Sequence, residues 1–298
     1  MNLAEELLEI AERDLEASRI LHKNKLYPQA AFYFAQSVEK ANKSLATLLN
    51  NHNEKYLSDK IGHEAIIIHQ KSSRRAQQKF GKFLKQSEKH PIYKDLPFFQ
   101  KEEIKNIVQQ SNLAIQTIDE IKEQSDDLIF IKATAINQLL KEIQDEKNQI
   151  TEEMDTFLKL NIDKNEWSQN VNQIVEWVEK NNFPQEAVLK FKEEAENINF
   201  DDAWDALKNY YIINYKNALL TIPLFYLAVI TLPLANIARY PEKGKSPLEI
   251  FTWKSPLVRK LPSLFEVHLQ VIHELREFHE LWNNTGDKLY SDTSIDEG

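Results

Sequence analysis

The sequence predicts an all-α protein, and three observations carry that reading. Only five glycines occur in 298 residues, with none between Gly81 and Gly244. No proline lies between Pro97 and Pro184. Apolar residues recur at three- and four-residue steps through most of the chain, which is helical rather than strand periodicity. A many-stranded sheet needs turn formers at short intervals, and helices do not. The 42 % hydrophobic and 28 % charged composition is that of a globular chain able to bury one or two cores. Cysteine is absent, which excludes disulfides, a thiol nucleophile and cysteine metal sites. The acidic, amphipathic start MNLAEELLEIAERD is not a secretory signal, so a cytoplasmic location is expected. At a net charge of −9, any nucleic-acid contact requires a local basic patch.

A first helix is expected from Leu3 to His22, with Ala4, Leu7, Leu8, Ala11, Leu15 and Ser18 as its inner stripe. The second, Tyr27 to Leu49, opens with Pro28 in a first turn that tolerates it. Tyr27, Ala31, Phe34, Val38, Ala41, Leu45 and Leu48 give it one apolar face, with Glu39, Lys40 and Lys43 on the other side. The short link predicts an antiparallel α-hairpin. Asn50–Lys60 reads as a polar loop, and a new helix opens at Ile61-Gly62-His63, where His63 braces its start and His69 packs in the core.

Lys71–Lys94 changes character. Lys71, Arg74, Arg75, Lys79, Lys82, Lys85, Lys89 and Lys94 face a single acid, Glu88, with Phe80, Phe83 and Tyr93 interleaved. Such a stripe neutralises phosphates while its aromatics stack on bases, or it is a solvated helix face with aromatics packed inward. Two long helices follow. One is marked by Ile104, Ile107, Ile115, Ile118 and Ile121, and the other runs from Ile129 to Phe157 with Ser125-Asp126 as its cap. Their near-heptad spacing predicts a coiled-coil-like hairpin. Shorter helices follow: one carrying Trp167, Val171, Ile174, Trp177 and Val178, one after Phe183-Pro184, and one N-capped by Asp201.

Asn217–Ala238 carries no charge and is long enough to span a bilayer. Pro223, Pro233, Thr221, Thr231 and Asn236 argue instead for a kinked helix buried in protein, with no membrane partner. The run ends in Arg239-Tyr240-Pro241 with Glu242 next, and a last helix is expected after Pro262, from Leu264 to Trp282.

The Tyr27 helix, the Gly62-His63 pair after it, and the Arg-Tyr-Pro turn before a last amphipathic helix together resemble the HEPN domains of prokaryotic toxin and defence proteins. The resemblance implies an antiparallel helical bundle split between residues 1–71 and 217–298, with 72–216 as a helical insertion holding the long hairpin. In nuclease members an arginine lies about four to six residues before a histidine on the last helix. The arginine binds the scissile phosphate and the histidine moves a proton at the ribose 2′-hydroxyl, without a cofactor. Two copies dimerise around one groove. Here the nearest pairs are Arg276…His279 and Arg19…His22, each with two residues between.

At about 100° per residue, His268, Ile272, Leu275, His279 and Trp282 share one stripe with Leu261, Leu264 and Phe265, and His273 points away. The candidate catalytic set is Arg276, His279 and Arg239; the candidate nucleic-acid set is Lys71, Arg74, Arg75, Lys79, Lys82 and Lys85. His268, His273 and His279 lack metal-ligand spacing, and no Gly-rich phosphate loop or G-x-S-x-G motif occurs. Two readings follow: an RNA-directed protein of toxin or phage-defence type, cutting or binding RNA, or a non-catalytic helical module that pairs with an antitoxin-like protein or a second copy.

Overall fold

A computed structural model describes residues 2–89, 101–161, 163–181, 184–197, 199–241 and 246–286. Among them every regular element is helical. The elements are α1 (Leu3–Lys23), α2 (Tyr27–Asn50), α3 (Glu54–Tyr56), α4 (Ile66–Lys89), α5 (Lys101–Glu123), α6 (Ala133–Leu158), α7 (Lys164–Lys180), α8 (Gln185–Asn197), α9 (Phe200–Thr231), α10 (Leu234–Ile237), α11 (Pro247–Ile250) and α12 (Pro256–Leu281). The chain forms two compact units, 1–72 with 116–152 and 213–298, and 73–115 with 153–212. Tyr93, Lys94, Phe183 and Glu242 lie outside the described residues.

The first unit is organised by the α1–α2 hairpin. Asn2 caps α1 through a capping box with Glu5. A tight turn ends the helix. The N–H of Leu26 bonds to the Leu21 carbonyl at 2.9 Å and that of Lys25 to the His22 carbonyl at 3.0 Å, with Lys25 left-handed at φ 61°. The two helices are then laced by serines at seven-residue steps. Ser44 donates to the Ala4 carbonyl at 2.7 Å, Ser37 to the Ala11 carbonyl at 2.6 Å, and Ser18 to the Ala30 carbonyl at 2.6 Å. A serine hydroxyl reaches the facing backbone only where small residues let the helices approach closely, and Ala4, Ala11, Ala30, Ala31 and Ala41 supply that. Each bond contributes about 1 kcal/mol net.

Helix α12 closes the bundle. Phe34 of α2 packs edge-on to Phe265 at 5.4 Å and to His268 at 5.8 Å. The expected stripe from Leu261 to Trp282 is buried throughout, and His273 and Arg276 are exposed. Helix α12 starts at Pro256, not after Pro262, because the structure compensates the proline inside it. Pro262 has no N–H to give the Val258 carbonyl. His22 takes that carbonyl instead, donating from Nε2 at 3.0 Å.

Asn50–Lys60 is not a plain loop. Asn53 caps α3, and Leu57–Ile61 forms one π-helical turn that ends at Gly62, φ +61°. Ser125–Phe130 is a 3-10 turn rather than the cap of α6, which starts at Ala133. Ile118, Ile129 and Ile136 join the core with α2, α9 and α12, while Tyr226 of α9 donates to Glu146 at 2.8 Å. The uncharged run is part of one 32-residue helix, α9, that continues through Pro223. This helix is long and apolar enough to cross a membrane by composition alone. From Asn217 to Leu234, however, every residue is buried or partly buried within the protein.

The second unit holds the rest of α4, α5, α6 and α9 with α7 and α8. Gln77 of α4 donates to Asn112 of α5 at 2.7 Å, and the Phe157 ring packs tilted against Tyr211 at 4.2 Å. Asn199, not Asp201, caps α9, accepting from the Asp201 N–H at 2.9 Å.

Candidate functional site

On α12, Arg276 and His279 are three residues apart and so are neighbours on the helix surface. Both line a cleft of about 410 Å³ against α1. His279 is only 4 % exposed. Ser44 gives its hydroxyl proton to the Ala4 carbonyl, so it accepts from His279 Nε2–H at 3.0 Å. That fixes the tautomer: Nδ1 is unprotonated, buried and without a partner. Burial pushes the His279 pKa down, Glu5 opposes this, and Arg276 adds to it, with a net lowering. His268 repeats the arrangement, donating to Ser37 at 2.8 Å while Ser37 donates to the Ala11 carbonyl. Arg276 is directed at Glu12 of α1, at 2.6 Å. Glu5, Glu9, Glu12 and Glu280 line the same cleft. An entering phosphate therefore meets four carboxylates and one guanidinium already engaged.

Arg239 stands apart from this pair. It is exposed after α10, its guanidinium over Phe32 at 4.9 Å and over Tyr240 at 5.4 Å. Phe32 and Ser44, which mark the two stations on α2, are about 18 Å apart along the helix at ~1.5 Å per residue.

The basic stretch forms one face of α4. Projected at about 100° per residue, Lys71, Arg74, Arg75, Lys79, Lys82 and Lys85 fall within an arc of about 140°. Lys71 lies over the Tyr56 ring at 5.2 Å. Arg74, Lys79, Lys82 and Lys85 are exposed and have no carboxylate partner among the described residues. The expected interleaving of aromatics with cations is corrected here. Phe80 and Phe83 are partly buried and lie outside that arc, with Ala76, Leu84 and the buried Ser87 on the same far side.

A second constellation escaped the sequence reading. Glu39 and Lys43 do not face solvent: Glu39 is 2 % exposed, and Lys43 is buried beside it. Lys43 Nζ donates to Glu39 at 2.7 Å and to the Gly62 carbonyl at 2.6 Å. Lys40 Nζ lies 3.6 Å away, and His63 Nδ1 is 3.4 Å from the second carboxylate oxygen with its ring 76 % exposed. Burial alone would raise the Glu39 pKa, but Lys40, Lys43 and His63 outweigh it and hold the carboxyl low. Half-buried Asp14 moves the other way, raised by burial against the pull of Lys40. The only signal was the three-residue step from Gln36 to Glu39 to Asn42 on the rim of the apolar stripe. Among the described residues no three His, Asp or Glu side chains converge to hold a metal ion.

These features define a helical-bundle protein in which a cationic helix face and a buried histidine–serine lattice sit on different elements. Residues 4–121 match the family model of the HEPN domain. The match spans α1, α2, α3, α4 and most of α5. At family level a HEPN domain points to a nuclease, RNA-related or toxin-type role. No curated protein and no solved structure matches the chain.

Proposed function

We propose that this is an RNA-directed HEPN protein of the toxin or phage-defence type that engages nucleic acid through the exposed face of α4, and that it binds RNA without cutting it by way of Arg276, His279 and Arg239. The observation that carries the reading is the cluster of exposed cations at Arg74, Lys79, Lys82 and Lys85, with no carboxylate partner among the described residues, on an otherwise acidic chain. Phosphate contacts of this kind dominate affinity and make it salt-dependent. Against cleavage by the α12 pair stand the sealed imidazole of His279 and the acid lining of its cleft. The domain reading keeps 1–71 and 217–298 as the two parts of the bundle, supported by the bonds that His268 and His279 donate to Ser37 and Ser44. It takes 72–216 as the addition, of which 116–152 packs within the first unit.

The test is a filter-binding series with total RNA at rising salt. Binding whose log affinity falls linearly with log salt, and which the triple change Lys79→Glu, Lys82→Glu and Lys85→Glu removes, is the expected result. Cleavage that disappears in His279→Ala would defeat the non-cutting half of the proposal. A second reading, association through a second copy or a helical partner, is favoured by the exposed apolar side chains of Tyr240, Leu248 and Trp253 between α10 and α12. Sedimentation of wild type against Leu248→Ser and Trp253→Ser decides it.

A further inference from the structure

Helix α1 carries four glutamates in one line and needs only the first of them, for its cap. Glu5, Glu9, Glu12 and Glu16 follow one another at steps of four, three and four residues. In projection they fall within an arc of about 60°, and together they run about 16 Å along the axis. Two adjoining clefts between α1 and α12 open along this line. One is the cleft of Arg276 and His279, about 410 Å³ in volume. The other, about 440 Å³, shares Glu9 and Glu12 with it and takes in Glu16 and Leu269. Glu280 of α12 adds a fifth carboxylate, with no ion-pair partner among the described residues. Three guanidiniums oppose the five. Arg13 pairs with Glu9, Arg276 with Glu12 and Arg19 with Glu16, and each of these six side chains is more than a third exposed. Pairs so exposed hold only weakly.

The floor of the first cleft adds another acceptor. His279, 4 % exposed, turns its Nε2–H inward to Ser44. Nδ1 is left on the other flank of the ring, unprotonated and without a donor, under the cleft that the ring lines. Five carboxylates and an unanswered imidazole nitrogen suit a ligand that brings N–H donors and positive charge together. A compact metal ion does not match them, since among the described residues no three His, Asp or Glu side chains converge to hold one. A helix of a partner protein would find little apolar surface to bury here. Leu8 and Leu15 are closed over at 2 % and 1 % exposed, which leaves Leu269. The ligand that fits is extended and charged along its length. Successive glutamates rise about 4.5–6 Å along α1. Nitrogens separated by three or four methylenes lie about 5–6 Å apart in an extended chain with bonds of ~1.5 Å.

We infer that the groove between α1 and α12 binds a linear aliphatic polyamine, its ammonium groups in step with Glu5, Glu9, Glu12 and Glu16 and one of them donating to His279 Nδ1. The incoming ammonium groups exchange with Arg13, Arg276 and Arg19 on the glutamates these hold. One multivalent chain replaces several separate weak pairs, and once its first ammonium is seated each further exchange is intramolecular. The site lies on other elements than the cationic face of α4 and stands apart from the RNA-directed reading.

Isothermal titration calorimetry with the full chain at low salt tests this, using spermine, the diamine putrescine, Mg²⁺ and an end-blocked tetralysine peptide of the same charge as spermine. Spermine should bind one to one and at least about tenfold tighter than putrescine. The double change Glu9→Gln and Glu16→Gln, verified as folded by circular dichroism, should weaken spermine by about tenfold or more. Arg276→Gln removes a competing cation from Glu12 and should tighten spermine severalfold. In the chain labelled with nitrogen-15 at histidine, the His279 Nδ1 resonance should shift as spermine is added. Spermine bound no tighter than putrescine, spermine binding indifferent to the double change, or a His279 Nδ1 resonance that stays in place overturns the inference. Tetralysine bound more tightly than spermine and lost with the double change assigns the groove to a protein partner and overturns it too. Saturable Mg²⁺ binding lost with the same change overturns it in favour of a metal ion.

Discussion

Lowering the pH from 8 to 5 should cost the first unit several kcal/mol, and the reason lies in the tautomers of its buried histidines. His268 donates from Nε2 to Ser37, whose own proton is committed to Ala11, so a second proton on the ring would sit on a buried Nδ1 facing no acceptor. Burial pushes its pKa down to about 3. His69 donates to Asn42 Oδ1 at 2.7 Å, and Asn42 is oriented by donating to the Val38 carbonyl; burial holds this histidine at about 4. An unfolded histidine titrates near 6.5. Between the folded and unfolded values the unfolded chain therefore binds more protons, and stability rises with pH. The contribution is complete above about 6.5 and is lost as pH falls below it. At pH 5 the linkage amounts to about 2 kcal/mol for each ring, or about 4 for the two. His279, also lowered, acts in the same sense. With a urea slope of ~1–3 kcal/mol per molar, the unfolding midpoint should drop by about 1–4 M. Urea titrations followed by circular dichroism at pH 8, 6 and 5, beside the imidazole proton resonances, read both quantities. Midpoints constant across that range, or buried-ring resonances titrating near 6.5, would refute neutral, buried imidazoles.

Glu39→Gln leaves Lys43 buried without its counter-charge and should cost about 3–5 kcal/mol; chemical denaturation giving a loss below ~1 kcal/mol would mean the pair is not dry. Gly62→Ala meets no neighbouring atom but carries a side chain into a positive-φ conformation, so a loss of about 1–3 kcal/mol is expected, with a shift of the His63 resonances. Lys25→Gly relieves the left-handed residue that ends α1 and should raise stability by ~0.5 kcal/mol, read as a rise of a degree or more in melting temperature. Arg276→Ala should leave RNA affinity within about twofold, since the cleft it lines is acidic; a loss comparable to that of the α4 triple change would return the α12 pair to the nucleic-acid interface.

The apolar stripes were legible because burial in a helical bundle imposes a three-to-four-residue period. That period alone put His268, Leu275 and His279 inward and His273 outward, as found. It could not show what the polar members of the stripe do. Nothing in that period singles out Ser37 and Ser44, yet each turns a histidine into a fixed donor by giving its own proton to α1. The same rule misplaced Glu39 and Lys43, because periodicity assigns charges to water and cannot see that a carboxylate and an ammonium four residues apart neutralise one another in the interior. Pro262 was read as a boundary for an equally local reason. A proline breaks a helix by leaving the carbonyl four residues back without a donor, and the donor here comes from His22, more than two hundred residues away in the chain. Legibility failed wherever a local rule was satisfied by a distant partner.

Charge distribution bears on which of the chain's surfaces an RNA can reach. Lys71–Lys94 holds eight cations against Glu88, a surplus of seven, so the remainder of a chain at −9 carries sixteen net negative charges. Polyanions are repelled by such a surface except where the sign reverses, and the repulsion extends over a Debye length of about 8 Å at physiological salt. The cleft of Arg276 and His279 lies among Glu5, Glu9, Glu12 and Glu280, so it belongs to the repelling surface, whereas the arc from Arg74 to Lys85 reverses the sign. The same two side chains that a reading of spacing alone would place at a scissile phosphate are thus screened from it by α1. Exchanging Glu9 and Glu12 for Gln in one chain tests this effect: it removes two carboxylates and releases Arg13 and Arg276 from their ion pairs, while the bond between Ser44 and His279 stays in place. RNA affinity should then rise through a faster association rate at low salt, by severalfold, with the dissociation rate little changed. An unchanged association rate would show that the acids of α1 do not steer RNA, and the case against an α12 nucleic-acid site would then rest on the burial of His279 alone.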